Sequence, residues 1–411
     1  MHPARRPGPP GAVVPPQPER SPAVPYPSQP TSLSSTGPSA RPVVLGVDLT
    51  SAGARPGAHR ARGPIAPRPF DGERFLHLMR TADRGLLDFV SLDEGFLLHP
   101  GRSQVTGRLD TAVAAARAAR VTTGIGLVAA VDTVHVEAGH AAVALSSIDR
   151  ASSGRAGWQA VRQSRLPEAD DAWAARVELG IRSVTQVWTG RPGSGSGAVE
   201  LDAEGRFRVD HDGIRFAVRG RPAAGTEDAL PQVPPPLVVS ARSEASAALA
   251  GRTADVARIT VTDAAQAVRL RRLVRDSALS AGRDPEDVRV LAEVYVVLAA
   301  ERASARARLE LVEALEGTAA MGDGLVIADT PDELATLIAD LTTVGAVDGF
   351  LLRPSSLSSD LDTITDHLVP ALQHAGLFRT ERTETTLRGS LGLSDAERER
   401  EALPTGRLLS A

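Results

Sequence analysis

The sequence predicts an α/β protein of the (β/α)8 class, a TIM barrel, with an excursion between the fourth helix and the fifth strand. Three observations carry this. From Val43 onward, short apolar runs of strand character alternate with Ala- and Leu-rich amphipathic segments, the rhythm of a parallel sheet covered by helices. The runs number eight, which fits a closed barrel better than an open doubly wound sheet. The chain has 411 residues, 42% of them hydrophobic, enough to close one large core and leave tails outside it.

The strands are expected at Val43 to Leu49, Leu87 to Leu92, Thr122 to Val131, Ala156 to Val161, Leu237 to Ser240, Val256 to Ile259, Val288 to Val297 and Gly349 to Leu352. Helices are expected near 72–84, 110–119, 138–148, 171–188, 244–251, 263–281, 301–316 and 331–344, with a closing helix over 360–375. Two helices carry clear terminal signals. Thr330, Pro331 and Glu333 spell a capping box with Pro in the first turn, and Gly345 stands where a left-handed stop is needed. The other runs from Thr262 to Gly282, with Pro285 beyond it.

Three segments break the rhythm. Residues 1–41 are dominated by Pro, Ser, Gly and Ala, bury almost nothing, and are expected to be a disordered leader before a barrel at 42–393. Residues 191–236 contain GSGSG at 193–197 and Pro234 to Pro236, around alternating stretches at Phe207 to Val209 and Ile214 to Val218. They are expected to form a hairpin excursion on one barrel face. Residues 394–411 form a charged tail.

Composition narrows the chemistry. Cys is absent, which removes disulfides, thiolate metal sites and a Cys nucleophile. Lys is absent too, so Schiff-base chemistry and the Walker lysine fall away together; so is Asn. With a net charge of −4 and acids interspersed with Arg, no basic face suits nucleic acid. No apolar run follows Arg5 and Arg6, and none elsewhere is long enough for a bilayer, so the cytoplasm is the expected location.

Local motifs carry little. The nine His residues show neither HxH nor HExxH spacing, so no metal is expected, and His135 and His140 read as polar groups at a strand end and a helix start. Gly124 and Gly126 lie inside an apolar run without the third Gly of a dinucleotide fingerprint, and read as close strand packing. In a barrel of this class the site lies at the C-terminal strand ends. The polar residues there are Asp93 and Glu94, Asp132 and Thr133, Arg162 and Ser164, and Ser240, Arg242 and Ser243. Ser243 suits a phosphate at a helix N-terminus, whereas as a bare N-cap or turn former it would, like Asp93, serve the fold alone.

The run GIGLVAAVDTVHVEAGHAAVALSSIDRASSGRAGWQAV at 124–161 resembles the central block of the bacterial luciferase-like flavin-dependent monooxygenases, in the nitrilotriacetate, dibenzothiophene-sulfone and pristinamycin-type branch. GVDLTSAGARPGAHR at 46–60, GLLDFVSLDEGF at 85–96, PLVVSARSEASAALAGRTADV at 236–256 and HLVPALQHAGLFRTERTETTLRGSLGL at 367–393 are similar to further family blocks in the same order. The resemblance implies a TIM barrel that takes reduced FMN from a separate NAD(P)H-dependent flavin reductase and uses it with O2 to oxidise a small organic substrate. Members commonly pair as homodimers.

Carried over residue by residue, the implied flavin contacts fall on Asp93, Ala130, Ala169, Trp173 and Ser243; the resemblance singles out no catalytic residue. Asp93 and Ser243 match the family's usual choice. Ala130 stands where a Thr is usual, Ala169 and Trp173 where a His and a Tyr are usual, and Gln159 and Ser246 replace an Asn and a Gly. Arg162 and Arg242 add cations at the expected mouth. Two other readings stay open: a related barrel using a deazaflavin as hydride carrier, and a divergent non-catalytic barrel that binds flavin or another ligand.

Overall fold

Strand β1 (Val44–Asp48) is buried along its whole length, as a strand covered on both faces requires. The computed structural model describes residues 41–50, 55, 71–92, 109–161, 170–189, 207–211, 214–218, 233–316 and 324–393. Strands β2 (Phe89–Leu92), β3 (Gly126–Asp132) and β4 (Ala156–Val161) follow, each parallel to its predecessor. Among the described residues, β5 (Phe207–His211) and β6 (Ile214–Val218) pair only with each other, as the antiparallel hairpin expected in the excursion. The parallel sheet continues with β7 (Leu237–Ala241), β8 (Val256–Ile259), β9 (Arg289–Leu298), β10 (Leu325–Asp329) and β11 (Gly349–Pro354).

The sheet closes on itself. β8 pairs with β9, β9 with β11 and β11 with β1, so β1, β2, β3, β4, β7, β8, β9 and β11 form an eight-stranded parallel barrel. β10 was not expected. It pairs with Val294 to Leu298 of β9, beyond the Arg289 to Ala292 stretch that β8 covers, so it extends one wall above the barrel.

The helices between the strands are α1 (Gly72–Arg84), α2 (Thr111–Ala119), α3 (Ala138–Ser152), α4 (Asp170–Thr189), α5 (Glu244–Thr253), α6 (Ala264–Ser280), α7 (Arg302–Glu316) and α8 (Pro331–Thr343). Asp71, Asp110, Glu137, Ser243, Asp263 and Thr330 cap six of them by accepting first-turn N–H groups. Thr330 makes its half of the expected box at 3.4 Å, while the Glu333 carboxylate pairs with Arg302 at 2.9 Å. Gly345 adopts φ +64°, the left-handed stop read from the sequence.

The closing helix is broken into α9 (Ser359–Thr363), a π-helical turn at Ile364–Leu368 and α10 (Val369–His374). Pro370 has no N–H to offer the preceding turn, which accounts for the widening there. The third strand starts four residues later than expected, at Gly126 rather than Thr122. The Asp83 carboxylate accepts from the N–H groups of Thr123, Gly124 and Ile125 at 2.7, 3.1 and 2.8 Å, and folds them into a loop.

The C-terminal segment plugs the barrel from below. Leu387 and Leu391, at the ends of α11 (Leu387–Ser390), join Leu393 in one cluster with Val44, Phe89, Val128, Val238, Val256, Leu291 and Leu351 from seven of the barrel strands. The GxG glycines serve this packing, since a Cβ on Gly126 would lie 2.5 Å from a Leu387 methyl. Arg382 ties the segment down by donating to the carbonyls of Gly124 at 3.2 Å and Leu87 at 2.9 Å.

Residues 1–40, most of the excursion, and the tail after residue 393 lie outside the described residues. No helix among those described is long and apolar enough to cross a membrane.

Candidate active site

Side chains alternate along a strand, so the plug cluster fixes which residues face the lumen. Above that apolar layer stand Asp48, Ser91, Ala130, Gln159, Ser240, Arg258, Glu293 and Arg353, one from each strand, two positions up on every strand once Gly46 on β1 and Gly157 on β4 are counted level with Phe89 and Val128. Seven of the eight are polar. Ala130 is the gap in the ring, 2% exposed and next to Gln159 in register.

Arg258 organises this layer from a position only 1% exposed. Its Nε lies 3.2 Å from Glu293 Oε1, and its Nη1 donates to Ser91 Oγ at 3.3 Å and to Gln159 Oε1. Gln159 in turn reaches Ser240 Oγ at 3.4 Å through Nε2. Arg353 completes the network, with Nε 3.4 Å from Asp48 Oδ2 and Nη1 3.4 Å from Glu293 Oε2. Charges this deep are tolerated only when paired and hydrogen-bonded, and here two cations face two carboxylates. The layer is therefore rigid, polar and close to neutral.

Asp48 and Glu293 are buried, whereas the Arg353 side chain is 29% exposed. Tyr295, the register partner of Arg353 on β9, lies under the Arg55 guanidinium, 5.1 Å from the ring centre.

Ser243 caps α5, accepting from the Ser246 N–H at 3.3 Å. Ser246 Oγ accepts from the N–H groups of Arg242 and Ser243, both at 2.9 Å, and so closes a reciprocal box. The capping reading of Ser243 holds. The phosphate reading is not displaced by it, because the first-turn N–H groups of Glu244 and Ala245 have no partner within the helix. Arg242 is exposed beside this helix head.

Of the other expected residues, Trp173 is half-buried in the first turn of α4 and packs on the main core. Asp132 forms a turn: Oδ1 accepts from the N–H groups of Val134 and His135 at 3.0 and 3.1 Å, and Oδ2 meets His135 Nδ1 at 2.8 Å. Thr133 packs against α4, where a Cβ on Gly180 would lie 2.4 Å from its carbonyl. Asp93, Glu94, Arg162, Ser164 and Ala169 lie outside the described residues. No group of three metal-ligating side chains occurs among those described. Sequence reasoning missed Asp48, Ser91, Arg258, Glu293, Tyr295 and Arg353.

The family model for luciferase-like monooxygenases matches residues 49–342. Among curated proteins, the chain is 24% identical over 431 residues to N-acetyl-S-(2-succino)cysteine monooxygenase of Bacillus subtilis (strain 168), covering 85% of this chain and 96% of that protein. It is 25% identical over 444 residues to nitrilotriacetate monooxygenase component A of Aminobacter aminovorans, with the same coverage. Among solved structures, EDTA monooxygenase from Chelativorans sp. BNC1 superposes with a TM-score of 0.70 at 23% identity, over 86% of this chain and 99% of that one.

Proposed function

We propose that this chain, which belongs to the luciferase-like monooxygenase family, is the oxygenating component of a two-component system that oxidises a small organic molecule with reduced FMN and O2. The carrying observation is a closed barrel with a polar inner layer facing the strand ends, beside a helix head of phosphate-binding chemistry. The donor set there, a serine hydroxyl and first-turn N–H groups, fits a flavin phosphate.

When bound, reduced FMN supplies the reaction with O2 that places one oxygen atom on the substrate. The chain's own residues bind, orient and exclude water. Ser243 Oγ and the N–H groups of Glu244 and Ala245 hold the phosphate. Asp93 and Ala169 belong with it by their place in the family blocks, and Trp173 walls the site with a ring whose N–H donates only. Ala130 contributes no hydroxyl, so donors at this depth come from Gln159 and Ser240, fixed by Arg258. The leucine plug keeps water out from below. A separate NAD(P)H-dependent reductase supplies the flavin, and pairing into a homodimer belongs to the same reading.

Anaerobic titration of the purified chain with reduced FMN is the test. Saturable binding supports the reading, and no binding at high micromolar FMN defeats it. A reduced deazaflavin titrated in parallel decides for the hydride-carrier alternative if it alone binds. A folded chain that binds neither would be an accessory barrel.

A further inference from the structure

Arg353 and the half-buried Ser240 differ from the rest of the inner layer. Asp48, Ser91, Gln159, Arg258 and Glu293 are all 3% exposed or less, so whatever enters from above does not reach them freely. The Arg353 side chain is 29% exposed, on the last barrel strand at the end where the strands finish. Its guanidinium is nevertheless held rather than mobile. Asp48 Oδ2 accepts from Nε at 3.4 Å, and Nη1 stands in an ion pair 3.4 Å from Glu293 Oε2. The second terminal nitrogen, Nη2, makes no hydrogen bond among the described residues.

The arrangement presents a guanidinium edge upward with its orientation fixed from below. Arg258 shares Glu293 and offsets its charge, leaving Asp48 as the acid that pairs with Arg353 alone among the described ion pairs. The register neighbour of Arg353, Tyr295, is capped by the Arg55 guanidinium, 5.1 Å from the ring centre. A planar fork aimed into an opening suits a carboxylate, which accepts two parallel N–H bonds.

We propose that Arg353 forms the subsite that grips a carboxylate group of the substrate, and that Arg258 is a positioning residue acting through Glu293. This rests on the reading of the barrel mouth as the oxidation site. It adds that the substrate is an organic acid.

Isothermal titration of the full chain with succinate, and with succinamide as its neutral counterpart, tests it. The expected result is saturable succinate binding that weakens with added salt, at least tenfold weaker binding of succinamide, and at least a tenfold loss of succinate affinity in Arg353→Gln. Arg353→Lys keeps the charge without the fork and should fall between the two. Because Arg353→Gln leaves Asp48 and Glu293 less compensated, Asp48→Asn/Arg353→Gln removes one acid with the cation and should show the same succinate loss in a folded protein. Equal affinity for succinate and succinamide, no succinate binding at all, or unchanged succinate binding in the double variant overturns the proposal. Reduced FMN is titrated alongside: succinate binding without flavin binding defeats the cofactor reading alone, and flavin binding without succinate binding defeats this one alone.

Discussion

At the scale of single residues, two side chains give separate tests of the proposed phosphate site and of the inner layer. Ser246 Oγ occupies the N–H groups of Arg242 and Ser243, which a phosphate at the head of α5 could otherwise share. Ser246→Gly should free them. FMN affinity is then expected to rise about fivefold, since a hydrogen bond to a charged group contributes roughly 1 kcal/mol or more, while riboflavin, lacking the phosphate, should bind unchanged. Flavin fluorescence titrations with both ligands measure this; equal shifts for the two would mean that the phosphate sits elsewhere. Arg258 offers a second handle. Arg258→Met leaves Glu293 buried with a weaker partner and should destabilise the fold by about 3 kcal/mol, whereas Arg258→Met/Glu293→Met should recover much of that loss in urea unfolding. Both arginines of the layer were legible in principle. A strand buried on both faces should read as unbroken apolar residues, yet Arg258 and Glu293 interrupt VARI and LAEVY, and Arg353 follows FLL. The strand-end rule named Ser240 from this layer but otherwise looked two or more positions above it, and so missed where these charges pair.

At the scale of elements, the sequence announced what local chemistry controls and hid what pairing controls. The cap at Thr330 and the stop at Gly345 follow from side chains reaching a few residues away and stand where expected, while the helix expected from Thr262 is capped one residue later, by Asp263. β10 spells a short apolar run, LVIAD, but it is half-exposed and lies outside the eight strands that close the barrel, and its partner, the upper half of β9, is defined only once the barrel closes. The late start of β3 likewise depends on Asp83, some 40 positions away in the chain. The plug tests how far such a long-range element supports the whole. Leu387 is 1% exposed among inward side chains from seven strands, so Leu387→Ala should open a cavity that the rigid barrel cannot collapse. A loss of about 3 kcal/mol in urea unfolding is expected. A loss below about 1 kcal/mol would show that the segment detaches without cost to the barrel.

At the scale of the whole molecule, the foot of the barrel gives stability a definite dependence on pH. Asp88 is fully buried; it accepts from the Leu45 N–H at 2.7 Å and pairs with Arg379 from the C-terminal segment, joining the first two strands to the plug. Burial pushes its carboxyl up to about 6, and the Arg379 charge pulls it down only partly. Asp149 on α3 is also pushed up to about 6 by burial, against the Ala156 N–H. A carboxyl whose folded value exceeds its unfolded value of 3.8 holds its proton more tightly in the fold than in the open chain. Its contribution to stability is present in full below about pH 4 and is lost as pH rises through about 6. For Asp88 the span amounts to roughly 3 kcal/mol, at 1.36 kcal/mol per pKa unit. Asp88→Asn cannot titrate, so the stability of the natural chain minus that of the variant cancels every other group. This difference should fall between pH 4 and pH 7 and then level off. Arg379→Met removes the opposing charge, so in that background the fall should extend to higher pH. A difference that rises with pH would instead mean that Arg379 holds Asp88 ionised in the fold, and that the clasp between barrel and plug is an ion pair throughout the neutral range.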